Sequence, residues 1–299
     1  MTTFESSPEA MPPPGEPPPG DRPPEKPQPL LPWIGVPAWS TLVAVLVLIA
    51  GGILVAVLIG AILGLAGVTD DPDEIDGATV ALNVSFDAMF ILAPVVVVMW
   101  LTHRRPDPAA FGLRIPNWRS ALGWSVLIYL GVVVVAGIII ALLGEPKTQA
   151  VSRELKTEDS VALLVAIGFM TGVAAPLGEE FFFRGFLFRV LWERTNVSIG
   201  TFATGVVFGL AHAGDTDIAG VLLLAALGAG LCVLLWRTAS LLPCIMLHSF
   251  HNSISFADTK GLPWWGFLLL TAASVLSALA IAVLAMRAFR PVRPSPVPA

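Results

Sequence analysis

Charged residues are scarce in this 299-residue chain, at 13% of the total, about half the ~25% usual for soluble domains. With 55% hydrophobic residues and a mean hydropathy of +0.79, that scarcity excludes an ordinary water-soluble domain and bulk disorder. Basic residues are also few: 17 Lys and Arg against a net charge of -5 give no footprint for binding nucleic acid. Cysteine is limited to Cys232 and Cys244. Both lie in apolar runs, so no disulfide framework or cysteine metal site follows, and both read as small packing residues. No G-x-S-x-G occurs, which removes the usual elbow for a nucleophilic serine. What remains is an all-α polytopic membrane protein.

Residues 1–37 hold thirteen of the 26 prolines, in runs that bury nothing and predict an extended, disordered tail. Residues 291–299 predict a second, shorter one. Between them, residues 38–290 form a transmembrane domain. About 20 apolar residues cross a bilayer as a helix, and eight such spans can be drawn, near 38–68, 79–102, 120–143, 161–180, 199–214, 218–236, 239–257 and 264–287. The fourth continues as a basic segment to Thr195 that suits the membrane interface. Gly60 and Gly64 form a GxxxG in the first span, which suits close helix packing.

Cytoplasmic loops carry the excess of Lys and Arg. An inside N-terminus assigns twelve basic residues to the cytoplasm, including Arg104, Arg105, Arg114, Arg119 and Arg287, and leaves Lys147, Arg153, Lys156 and Lys260 outside. Both termini are therefore expected in the cytoplasm, as an even number of spans requires. The acidic stretch Asp70 to Asp76 then falls outside.

A charge near the bilayer centre costs at least ~2.5–3.5 kcal/mol, so ionisable groups within spans mark the place to look for function. They are Asp87, Glu179, Glu180, Arg184, His212, His248 and His251, joined by the amides Asn83 and Asn252. Glu179 and Glu180 are adjacent on a helix, point about 100° apart and can do different work. Glu180 and Arg184, four apart, share a face and can pair. Glu179 has no such partner and could act as a general base for water. His248 and Asn252 also share a face, so imidazole and amide can address one point in the bundle, or simply form interhelical hydrogen bonds. One carboxylate and two imidazoles, Glu179, His212 and His248, form a familiar ligand set for a water-activating divalent metal, zinc foremost. The same groups equally suit a metal-free site in which a glutamate deprotonates water and His and Asn stabilise an oxyanion.

Glu179-Glu180-x-x-x-Arg184, then Phe208-x-x-x-His212, then His248-x-x-x-Asn252, in this order and on successive apolar helices, resemble the signature of the CPBP intramembrane proteases. That family includes the CAAX prenyl endopeptidases and the bacteriocin-processing or immunity proteins of the Abi type. The resemblance covers about 160–257. It implies an intramembrane endopeptidase of a bacterial cell membrane that cleaves a membrane-associated protein or peptide. Glu179 would activate water, with His212 as its partner or a metal ligand. His248 and Asn252 would be ligands or oxyanion donors, and Glu180 with Arg184 would organise the site. Asp87 and His251 lie outside the signature. A non-catalytic immunity or scaffold protein of the same fold, or an ion transporter, are the competing readings.

Depth presents a conflict. At 1.5 Å per residue, Glu179 lies about 27 Å from the outer start of its span, whereas His248 lies only about 13 Å from the inner start of its own. Convergence requires a longer or tilted fourth span, with Pro176 as the natural kink.

Overall fold

A chain in lipid must satisfy its backbone internally, and the helix is the simplest solution. Among the residues that the computed structural model describes, 31–65, 77–147 and 149–288, all regular structure is helical. The elements are α1 (Ser40–Leu65), α2 (Gly77–Thr102), α3 (Trp118–Leu143), the short α4 (Ala150–Thr157), α5 (Val161–Arg194), α6 (Val197–Leu210), α7 (Ile218–Thr238), α8 (Leu242–Lys260) and α9 (Trp264–Ala288). A single 3-10 turn, Pro108–Phe111, lies between α2 and α3. Side-chain caps set several helix starts: Ser160 accepts from Leu163 N before α5, Asn196 from Ile199 N before α6 and Asp217 from Gly220 N before α7, each satisfying an amide with no partner inside its helix.

Every expected span has a helix at its place, but among the described residues only α1, α2, α3, α5, α7 and α9 are long and apolar enough to cross a membrane. The 14 residues of α6 extend about 21 Å, short of a ~30 Å hydrocarbon core. With its polar residues from His248 to Lys260, α8 is not among those helices. The chain is a polytopic helical membrane protein. Half of α7's most apolar window is buried, against 6% of α3's, so α7 is a central helix and α3 faces lipid. α7 packs between α3 and α6, α1 pairs with α2, and α8 pairs with α9.

Small residues bring α6 onto α7. A Cβ at Gly209 would stand 2.4 Å from the Val221 carbonyl oxygen, and one at Gly205 would stand 2.9 Å from that of Ala225. The GxxxG that packs here is thus Gly205/Gly209, whereas a Cβ at Gly60 would meet nothing within 4 Å.

Three sequence expectations are corrected. The fourth span, expected to end near 180 and to continue as a basic segment, is one apolar helix: α5 runs 34 residues to Arg194, and Phe181 to Val190 are all buried. Aromatic packing draws this segment inward. Phe181 stacks on Phe111 at 4.7 Å, and Phe182 and Phe183 meet Phe90 and Phe208 edge-on. This extra length also removes the depth conflict, because Glu179 now sits near the middle of its helix. His212 is not on a helix: α6 ends at Leu210, and His212 opens the turn that leads to the Asp217 cap.

The third correction concerns the N-terminal tail. Residues 1–30 and 289–299, with the acidic stretch at 70–76, lie outside the described residues, but residues 31–37 are packed. Leu31, Ile34 and Val36 are buried, and the end of α5 binds their backbone. Arg189 Nη2 donates to Pro32 O (2.6 Å), Arg194 Nη2 to Val36 O (2.7 Å), and Ile34 N to Glu193 Oε1 (3.0 Å). Proline content masked three apolar side chains in alternation with polar or exposed ones. Cys232 and Cys244 are buried and free, as expected.

Candidate active site

Pro176 shapes the helix that carries the glutamates. α5 opens into π-helical turns at Met170–Ala174 and at Glu180–Phe188, a feature often found at functional sites. At the first, Ala175 N donates to Met170 O, five residues back. The next amide in that register would be residue 176, which is proline and has no N–H. The Thr171 carbonyl is thereby left without a helical donor, and Asn252 Nδ2 of α8 supplies one at 2.8 Å. Asn252 therefore braces the bulge rather than addressing the same point as His248. Asn252→Leu should cost about 1–2 kcal/mol by orphaning that carbonyl, read by thermal unfolding in detergent. In a Pro176→Ala background, which restores an amide donor, the cost should shrink. An equal cost in both backgrounds would disprove the bracing role.

The second bulge begins at Glu180. Its Oε1 accepts from Arg184 Nη1 at 2.9 Å, and both side chains are fully buried. Arg184 Nη2 donates to Gly228 O of α7 (3.2 Å), and its guanidinium lies 4.3 Å from the Phe208 ring centroid. A buried charge is tolerated only when paired and hydrogen-bonded, and this arginine has an ion pair, a carbonyl and an aromatic face. The Gly228 carbonyl gives no sequence signal, since every residue has one; Phe208 is signalled only as the first residue of its motif.

The same Glu180 Oε1 lies 2.8 Å from His248 Nδ1. A carboxylate only accepts, so the Nδ1 of His248 carries a proton, and in the neutral ring Nε2 is the acceptor. Nε2 faces Glu179 Oε2 at 3.9 Å. The two glutamates, expected to point apart, do so by bracketing one imidazole. Glu179 Oε2 is buried without a hydrogen-bond partner among the described residues. Asp87 of α2 lies near enough to act electrostatically on Glu179, because Gly178 admits the α2 backbone: a Cβ there would stand 2.5 Å from Asp87 O.

His212 stands beyond Phe208, whose ring is 5.2 Å from His212 and 5.9 Å from His248. Its Nδ1 donates to Phe208 O (2.9 Å), leaving Nε2 free to accept. Glu179, Glu180, Arg184 and His248 are thus in one contact network, with His212 one aromatic ring away and Asn252 one helical turn along. Among the described residues, no three His, Cys, Asp or Glu side chains converge on one point; of Glu179, His212 and His248, the first and last approach to 3.9 Å, and His212 packs against the Phe208 ring. His251 turns to α3, where Tyr129 OH lies 3.2 Å from its Nδ1. Asn83 bonds back to Thr79 O in its own helix.

Residues 161–254 match the family described as type II CAAX prenyl endopeptidase Rce1-like, a branch of the CPBP proteins. That segment spans all three motifs. Over that segment the chain is similar to the CPBP proteins. The chain is also 31% identical over 106 residues to a Bacillus subtilis (strain 168) protein named "Putative membrane peptidase YdiL". The match covers 36% of this chain and 40% of that relative. No solved structure matches the chain.

Proposed function

We propose that this protein is an intramembrane endopeptidase in which Glu179 activates water against a peptide bond of a membrane-associated protein or peptide. The observation that carries the reading is the imidazole of His248 held between Glu180 Oε1 at 2.8 Å and Glu179 Oε2 at 3.9 Å. Arg184 anchors Glu180, Glu180 fixes the His248 tautomer, and the unprotonated Nε2 then faces Glu179. A water hydrogen-bonded at ~2.8 Å to both Nε2 and Oε2 would bridge that gap. Glu179 takes its proton as the oxygen attacks the scissile carbonyl, and the C–N bond breaks as that proton passes to the leaving amine. His212, when protonated at Nε2, is the group suited to stabilise the oxyanion. The family match over 161–254 and the peptidase name of the relative support this reading. The basic loops favour cytoplasmic termini, and the Bacillus subtilis relative supports a bacterial membrane.

The test is cleavage of membrane-anchored peptides by the purified protein, before and after complete chelation. Survival of hydrolysis after metal removal, with loss in His248→Ala and His212→Ala, is the expected result. Loss on chelation with recovery in zinc would favour the second reading, a metal held by Glu179, His212 and His248. A non-catalytic immunity or scaffold protein would show no cleavage in any form. A transporter would instead carry ions in proteoliposomes.

A further inference from the structure

α2 and α9 hardly touch, although both present mostly unburied apolar windows. Between them lies a cleft of about 880 Å³, within the roughly 300–1,000 Å³ range of small-molecule sites. Ile91 and Met99 of α2, Ile281 and Ala285 of α9, and Leu177 and Phe181 of α5 line it. From Ile91 to Met99 the α2 wall extends about 12 Å, close to the ~15 Å depth of one leaflet's hydrocarbon.

The cleft's polar end is cationic. Arg105, just past the end of α2, lines it, and a contiguous hollow of about 360 Å³ that shares Asp107, Pro108 and Leu113 is lined by Arg114 and Arg287. Arg105 and Arg287 are exposed. Asp107 is the acid there, and its Oδ1 accepts from Ala109 N (2.9 Å) to cap the 3-10 turn. Glu179, Glu180, His212 and His248 do not line either space, although Leu177 and Phe181 put the helix of the glutamates in the cleft wall.

We propose that this cleft binds one anionic phospholipid, an acyl chain lying between α2 and α9 and the phosphate at Arg105 and Arg287. Both observations are needed: an apolar slot of one leaflet's depth selects a chain, and the cations at its polar end select the headgroup.

The experiment titrates the purified full-length protein in detergent with phosphatidylglycerol or with phosphatidylcholine of the same chains, counting bound lipid by native mass spectrometry. Phosphatidylglycerol should bind roughly thirtyfold more tightly, the scale of two cations near an anionic headgroup. Arg105→Gln/Arg287→Gln should abolish that preference, and Ala285→Phe should lower binding of both lipids by filling the slot. Arg119→Gln, exposed but outside the cleft, should change nothing. Equal binding of the two lipids, or an Arg119→Gln loss equal to that of the double variant, would overturn the proposal, since either describes unselective annular lipid. Displacement of the lipid by a cleavable peptide would overturn it as well, by making the cleft part of the substrate path. None of these readouts depends on hydrolysis.

Discussion

Glu179→Gln should lower kcat for a cleavable membrane peptide by ~10²–10⁴-fold, the usual contribution of a positioned general base. KM should change little, because the carboxylate is needed as the proton moves rather than for binding. The substitution keeps the shape of the side chain and removes only its basicity. Stability should also change little: Glu179 makes no ion pair with Arg184, and it stands 3.9 Å from His248 Nε2, beyond hydrogen-bond distance. Thermal unfolding of the variant near that of the parent, together with lost turnover, separates chemistry from folding. Unchanged kcat would remove Glu179 from the mechanism and leave Glu180 as the other carboxylate. Glu180 is a poor base, because its Oε1 already receives both Arg184 and His248.

How far this site was legible in the sequence follows from what each residue needed. Glu180 and Arg184 were readable as a pair because i, i+4 neighbours meet whether the local turn is α or π, and the pair is found at 2.9 Å. The meeting of His248 with both glutamates depends on how α5 and α8 pack, which spacing cannot give; order and motif only nominated it. For Asn252 the interhelical hydrogen bond, one of the two readings its spacing allowed, is the one found, but its partner was not legible. Its partner is the carbonyl of Thr171, freed by a π turn and by the missing amide of Pro176, and a backbone carbonyl has no sequence signature. The apolar stripes located the helices well, but charge patterning drew the apolar span of α5 short, at 180 where it runs to Arg194. Arg184, Arg189 and Glu193 look interfacial in a list of residues, yet each is consumed inside the protein by Glu180, by the segment around Pro32 to Ile34, or by each other. The resemblance to a protease family rested on the three motifs, and it is over this segment, 161–254, that the family match falls.

Arg184→Met should be the most destabilising substitution in the site, at about 3–5 kcal/mol, against a total margin of ~5–15 kcal/mol for a typical domain. Arg184 is among the largest fully buried side chains. Its removal leaves Glu180, itself fully buried, with a single hydrogen-bond partner in His248. The cost is that of an uncompensated charge, not of a lost contact. Glu180→Gln/Arg184→Met should therefore recover most of the stability, since the amide oxygen of Gln can still accept from His248 Nδ1 and no net charge stays buried. Arg184→Lys should not. A lysine keeps the charge but cannot donate in the fixed fork that serves Glu180 and Gly228 O together, and it has no planar face to lay on Phe208 at 4.3 Å. Midpoints of thermal unfolding in one detergent should rank parent, double variant, Lys and Met from highest to lowest. A double variant no more stable than Arg184→Met would mean that the packing of the guanidinium, rather than the charge of Glu180, sets the cost.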